Sequence, residues 1–579
     1  DINQVSICIK GLKEEEFHLA VYVDKECLVE YQPEAPEIPK MPNPAKAAKE
    51  PEEILTNEEL YFTGQHIEQY RHATYLPDPY YLEGLKRDPG DVRINNAYGL
   101  LLMRRGRFSD AEKYFRKALE RLIERNPNPY NSESYYLLGL VLFYQGKVRE
   151  AYDSFYKATW SNEQQEMSFY YLAAIDARER KYESAYQHIE KALVKNSHNI
   201  KARGLKAYLL RKLGKIGQAE SWVVENLILD PFDFVSGNEQ IKLRNTINKA
   251  LKEIQNKKMR KFHENYLMAA RDYAEFGAYK EAVEMLCECI EYDPKHNPML
   301  YYYKAYYMDC MGQEEEAKEL LVQAEQADPS YCFPNKLEDI IVLQFAIEKG
   351  CQAKATYYLG NLFYDKLQWE EAVALWEESV KAESNFPTTW RNLALAYYNK
   401  KKDAKKAKAA MEKAFELDNT DVRVFLELDQ LYKKLGWGAG QRLQNYKKHR
   451  EFIEDRDDLY IEYITLENLS GNYKEAYQDI MGHQFHPWEG GEGKVTTQYT
   501  LALLEMAKET LLKEEWIEAE KLLREALVYP ENLGEGKLEG TKDNHIYYYL
   551  GIALEAQGKN KEARVCFETA TIGTDEPAG

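Results

Sequence analysis

The chain has 579 residues, 30% of them charged, and its Asp and Glu outnumber Lys and Arg by 96 to 77 for a net charge of −19. That balance opposes non-specific binding to nucleic acid or to an acidic membrane, and no apolar run approaches the ~18 residues of a spanning helix. Tyrosine is the outlier, 46 against 20 Phe. Each tyrosine adds a hydroxyl that wants water or a partner, so most are expected in the core with the hydroxyl at a groove edge, and a minority on a polar ligand surface.

Residues 4–9 (QVSICI) and 18–23 (HLAVYV) alternate, are β-branched and flank Gly11, which reads as a β-hairpin. Two strands alone are marginal in water, so residues 1–31 are expected to be the end of an upstream β domain, and the chain, which begins with Asp, the later part of a longer protein. Residues 32–56 carry six prolines and no periodic apolar face, the composition of an extended linker. Thr56 then offers a helix N-cap with Glu59 three residues on. The entry segment 57–91 places His66 and Tyr70 on one helical face, with Arg71 and His72 turned away from it.

The rest, 92–579, repeats. In residues 134–158 (SYYLLGLVLFYQGKVREAYDSFYKA) an aromatic holds position 4 (Tyr135), Leu positions 7 and 11 (Leu138, Leu142), Gly position 8 (Gly139), Ala positions 20 and 27 (Ala151, Ala158) and an aromatic position 24 (Phe155). This resembles the tetratricopeptide pattern of two antiparallel helices. The small residues let two backbones approach and the large ones fill the space beside them. The position-20 alanine recurs as Ala111, Ala151, Ala185, Ala219, Ala282, Ala317, Ala372, Ala407, Ala476, Ala519 and Ala563. The expected fold is therefore all-α: a solenoid of about eleven helical hairpins with a short β segment before it, interrupted by helical inserts near 232–262, 330–351 and 419–459. The lysine-rich run 400–408 reads as a solvated helix face. Asp-Pro pairs at 230–231, 293–294 and 328–329 close repeats, and the terminal GTDEPAG is expected to fray.

One stretch has no place in a helical stack: residues 482–494, GHQFHPWEGGEGK. Its glycines and proline exclude a helix, yet His483, His486, Trp488, Glu489 and Glu492 are costly to leave unordered. In one reading Trp488 plugs a gap between repeats and the glutamates cap the next helix, near Thr497. In the other, Glu489 and Glu492 beside the Trp488 ring form a polar ligand site, since paired carboxylates near an aromatic ring suit sugar binding and glycoside hydrolysis. No metal-ligand spacing is present. The glycine-rich loop 532–536 reads as a plain connection. No nucleotide-binding glycine motif occurs, and no cofactor is expected. The eight cysteines, Cys8, Cys27, Cys287, Cys289, Cys310, Cys332, Cys351 and Cys566, form no C-x-x-C and read as free buried thiols of a reducing, cytoplasmic compartment.

TNEELYFTGQHIEQYRHATY, the RNPNPY turn, YKATWS, FHPWEGGEGKV and YPENLGEGKL occur in this order. Together they resemble a family of large bacterial proteins in which a tetratricopeptide solenoid follows an uncharacterised β-sandwich similar to galactose-mutarotase-like, carbohydrate-active domains. The resemblance implies a scaffold docked on such a domain, with the 482–494 loop contributing to a glycan site. The resemblance carries over no catalytic residue; the chemistry of the residues themselves offers Glu489 and Glu492 as candidate catalytic groups of a glycoside hydrolase, and His486, Trp488, His66, Tyr70, Arg71 and His72 as further ligand contacts. The periodicity by itself supports another class, a module that binds a peptide or partner protein without catalysis.

Overall fold

The computed structural model describes residues 11, 13–34, 41, 43–44, 46–72, 74–244, 249–292 and 297–573, the side chain of Glu14 aside. The chain divides into two compact units, Asp1–Pro89 and Gly90–Gly579.

In the first unit β1 (Leu19–Val23) pairs antiparallel with β2 (Glu26–Tyr31), turning at Asp24 with φ 56°. The expected partner strand, 4–9, lies outside the described residues, and the observed partner follows β1 in sequence. The hairpin is exposed on both faces. Helices Asn57–Gln69 and Asp78–Arg87 bury Leu60, Ile67 and Tyr80 together with Ile54. The Thr56 hydroxyl caps the first of them, accepting from the Glu59 amide at 3.1 Å, and Gly64 packs on the ring of Tyr81.

The second unit is an α-solenoid. Its first four hairpins are Val92–Arg104 with Phe108–Ile123, Glu133–Tyr144 with Val148–Ala158, Gln165–Arg178 with Tyr182–Lys195, and Ile200–Lys212 with Ile216–Leu229. Helices Phe234–Leu243 and Lys249–Met259 intervene before His263–Glu275 with Tyr279–Tyr292 and Pro298–Cys310 with Glu314–Gln326. Helix Leu337–Glu348 then precedes Lys354–Asp365 with Trp369–Ala382 and Pro387–Asn399 with Ala404–Leu417. Helices Val422–Lys434, Ala439–Lys448 and Arg450–Ile453 lead to the last three: Asp457–Leu469 with Tyr473–Gly482, Lys494–Leu512 with Trp516–Glu525, and Asn544–Ala556 with Asn560–Ala570.

Each alanine of the repeating series lies on the second helix of a hairpin, at most 2% exposed. The other half of the contact is aromatic on glycine. A methyl group placed on Gly99, Gly139, Gly360 or Gly551 would stand 2.5–2.7 Å from the ring of Phe115, Phe155, Trp376 or Phe567, sixteen residues on. Glycine at position 8 is thus the seat of the position-24 ring. The turns reverse the chain at positive φ, as at Gly146 (71°), where a Cβ would be strained. One continuous apolar core runs from Tyr170 to Tyr432 and a second from Phe425 to Ala563. Among the described residues no helix is long and apolar enough to cross a membrane.

The described cysteines are all free, and Cys289, Cys332 and Cys351 are buried as expected; Cys27, on the open hairpin, and Cys310, at a helix end, are exposed instead.

The stack curls back on itself. The Tyr144 hydroxyl donates to Glu338 at 3.1 Å across 194 residues, and the Gln368 side chain donates to the Arg105 carbonyl across 263. Gly106, φ 81°, admits the Ile340 side chain against its backbone. Further in, the Arg178 guanidinium donates to the carbonyls of Glu275 (2.8 Å) and Ala274 (3.2 Å).

Polar groups are also sealed inside the stack. Glu467 is 2% exposed, accepts from the Tyr463 hydroxyl at 2.8 Å, and has its second oxygen unpartnered among the described residues. Burial, with the Asp479 carboxylate nearby, pushes its pKa up to about 7. Because the folded value lies above the unfolded one, the folded state holds an extra proton between about 4.5 and 7. Stability from this group is therefore full at acid pH and declines as pH rises through that window. Glu467→Gln, a fixed neutral mimic, should lose the decline. The melting temperature of the variant minus that of the wild type should be more positive at pH 8 than at pH 5, and a difference constant with pH would refute the assignment.

Candidate functional sites

The 482–494 stretch is an ordered loop joining two repeats. Helix Tyr473–Gly482 ends at its first residue and the next helix starts at Lys494, three residues earlier than expected, behind Gly493 at φ 75°. Asp457 organises its first half. One carboxylate oxygen meets His483 Nε2 at 2.7 Å; the other accepts from the His486 amide at 2.8 Å and lies 3.2 Å from its Nδ1. Burial would raise the Asp457 pKa, but these hydrogen bonds outweigh it and hold it below the ordinary carboxylate value. His483 also packs against Tyr460 and Phe485, with ring centroids at 4.4 and 4.6 Å.

The second half is held by the loop around 532–536, which is no plain connection. The Phe485 amide donates to the Asn532 carbonyl at 2.8 Å, and the Asn532 side chain donates to the carbonyls of Ile480 and His483. Glu535 caps helix Lys494–Leu512, accepting from the amides of Gly493 (2.8 Å) and Thr496 (3.2 Å). The cap expected of Glu489 or Glu492 is thus supplied by Glu535, a carboxylate remote in sequence but adjacent in space. The half-buried Trp488 folds over Gly491 and against the second core. Between the two loops lies a recess of about 320 Å³ that His486, Trp488, Glu489 and Glu492 all line, with Leu533 and Glu535 opposite. The sequence-derived residues of this loop therefore converge, with both glutamates exposed.

The entry-segment group separates. The rings of His66, in the last turn of the helix, and Tyr70, its C-cap, lie 4.5 Å apart and tilted by 39°. Arg71 turns out of the helix at φ 48°. His72 is taken up by the turn, its Nδ1 accepting from the amides of Thr74 (3.2 Å) and Tyr75 (3.1 Å). A face for ligand contact is left with the His66–Tyr70 pair alone.

The larger site escaped sequence reasoning. The curl of the second unit encloses a cavity of about 1040 Å³. Six tyrosines line it, Tyr144, Tyr171, Tyr279, Tyr303, Tyr306 and Tyr307, among Phe143, Phe345 and Phe363. The Arg178 guanidinium lies over the Phe143 ring at 4.6 Å. Lys201 stands between Asp272 (3.1 Å) and Glu275 (2.9 Å). Burial raises both carboxyls above their ordinary values, although Lys201 opposes this. Burial works against the Lys201 ammonium in turn, but Glu275 and Asp272 outweigh it and hold its pKa up. Burial pushes the Tyr279 and Tyr306 phenols above their ordinary values. All these phenols stay protonated donors at neutral pH. The one signal available in sequence was the tyrosine excess, which gave no location.

Models of the tetratricopeptide repeat family match residues 91–159, 263–296 and 357–421. Among solved structures, the chain is similar to that of Naa15/Naa10 bound to HypK-THB, at 15% identity over 89% of this chain and 79% of that one, with a TM-score of 0.25. Yeast Tom70 is similar at 16% identity over 76% and 91%, TM-score 0.22. Pseudomonas aeruginosa pilF is similar at 16% identity over 45% and 99%, TM-score 0.23.

Proposed function

We propose that this tetratricopeptide solenoid is an interaction scaffold that takes up an extended segment of a partner polypeptide in the cavity between its turns, without catalysing a reaction. The observation that carries this is the lining: phenols, aromatic faces and charged groups presented together, mainly by the first helices of successive hairpins and by helix Leu337–Glu348. Tyrosine and arginine supply large contact area at low entropic cost, the composition of protein-recognition surfaces. A volume near the upper end of ordinary ligand sites admits a stretch of chain rather than a folded domain. The test is an array of immobilised dodecapeptides of varied composition, probed with the whole protein and with Met268→Trp. Met268 lines the cavity and is itself exposed, so the larger ring obstructs the space. Peptides bound by the wild type and lost with the variant, at unchanged melting temperature, support the reading; equal binding by both proteins overturns it.

A second reading has its own observation in the recess beneath Trp488. An indole next to Glu489 and Glu492 is an arrangement suited to a sugar ring, and here the solenoid would support an upstream carbohydrate-active β-sandwich. Glu489→Gln with Glu492→Gln changes only exposed carboxylates, so stability should move by less than about 0.5 kcal/mol while binding on a glycan array falls. Unaltered glycan binding, or none by the wild type, removes this reading.

A further inference from the structure

The charges inside the large cavity are not evenly satisfied, and the imbalance points to one kind of occupant. All but one of its lining cations already have partners. Arg178 donates from Nε and Nη2 to two main-chain carbonyls and lays one face on Phe143. Lys201 is outnumbered by Asp272 and Glu275. Arg107 lies between Asp110 (3.3 Å) and Glu371 (3.9 Å), and Arg271 is 3.6 Å from Glu264. The remaining lining cation, Lys336, is exposed.

The carboxylates, by contrast, are in excess. Glu338 accepts from the neutral Tyr144 hydroxyl and makes no ion pair among the described residues. It stands on the same wall system as Asp272 and Glu275, where one ammonium serves two carboxylates. Burial is the main cost of charge on Asp272 and Glu275; Glu338 adds to it at both, and Asp272 adds to it at Glu275. A cation brought in from outside relieves that cost, whereas an anion adds to it. The tyrosines alongside offer ring faces to the same cation.

We propose that the partner segment bound in this cavity carries a lysine or arginine side chain, which enters between Glu338 and the Asp272–Lys201–Glu275 group. This rests on the reading of the cavity as a polypeptide site and goes further by fixing the chemistry of the guest. An acidic segment is disfavoured because Asp272, Glu275 and Glu338 already line the space and oppose a further negative charge.

The dodecapeptide array separates the two claims. Among peptides whose binding Met268→Trp abolishes, those with Lys or Arg should predominate. A fluorescein-labelled copy of the best of them should lose at least tenfold in affinity to Glu338→Gln, and Lys→Ala within that peptide should lose as much. The loss in Glu338→Gln should shrink as salt rises from 50 to 500 mM. Glu338→Gln keeps an acceptor for Tyr144, and its melting temperature serves as the control for folding. A cavity-dependent set dominated by Asp and Glu, or basic peptides bound equally by wild type and Glu338→Gln, overturns the cation claim while leaving the polypeptide site intact. Absence of any peptide sensitive to Met268→Trp overturns both.

Discussion

Arg442→Ala should destabilise the region between the eighth and ninth hairpins by about 3–5 kcal/mol. Arg442 and Asp429 are 4% and 5% exposed; Arg442 Nε donates to Asp429 at 2.8 Å and Nη2 to Glu462 at 2.7 Å, while the Tyr446 hydroxyl donates to Asp429 at 2.9 Å. Removing the guanidinium leaves Asp429 buried with a single neutral donor, and the uncompensated charge rather than the lost contact dominates the cost. In a stack whose repeats touch mainly their neighbours, the loss stays local. Hydrogen exchange should therefore accelerate over 422–469 with little change at 92–158, and the urea midpoint of that segment should fall. Arg442→Met with Asp429→Leu, which removes both charges, should recover most of the stability. A single variant as stable as the wild type would show that the pair is solvated.

Phe155→Ala should cost about 3–5 kcal/mol, the range for emptying a buried aromatic site. The ring is fully buried, stacks on Tyr171 at 4.7 Å with an interplanar angle of 6°, and occupies the space that a Cβ on Gly139 would enter at 2.7 Å. The partner substitution discriminates between a close-packed seat and simple apolar burial. Gly139→Ala should cost about 1–3 kcal/mol with Phe155 present, by overpacking, and much less once the ring is gone. Non-additivity in the double variant, read from chemical denaturation, checks this. Additive costs would mean that the helices separate to absorb the methyl group and that the glycine seat is no constraint.

The hairpins were legible because their constraint is local. Ala151, Gly139 and Phe155 lie within sixteen residues of one another, and a side chain that must be small to let two helices touch leaves a mark at fixed spacing. The same held for the loop at 482–494, where glycines and proline exclude helix and the ring-bearing residues do cluster. The capping partner was not legible: Glu535 reaches Gly493 and Thr496 from about forty residues away, and nothing near 493 records it. The entry segment misled in the opposite sense. His72 is close to His66 in sequence, but a positive φ at Arg71 carries it out of the helix and into its own turn.

By itself the sequence determined the repeating unit, the number of hairpins and which side chains seat one helix on the next, since each of these is settled within a single repeat by steric fit and apolar period. Tertiary structure alone decided where the stack meets itself. Small rotations between successive repeats add up over the chain, and their sum brings Tyr144 to Glu338 and Arg105 to Gln368. No residue pattern within a repeat encodes that sum, so the cavity and the side chains that face one another across it emerge only from the assembled coil.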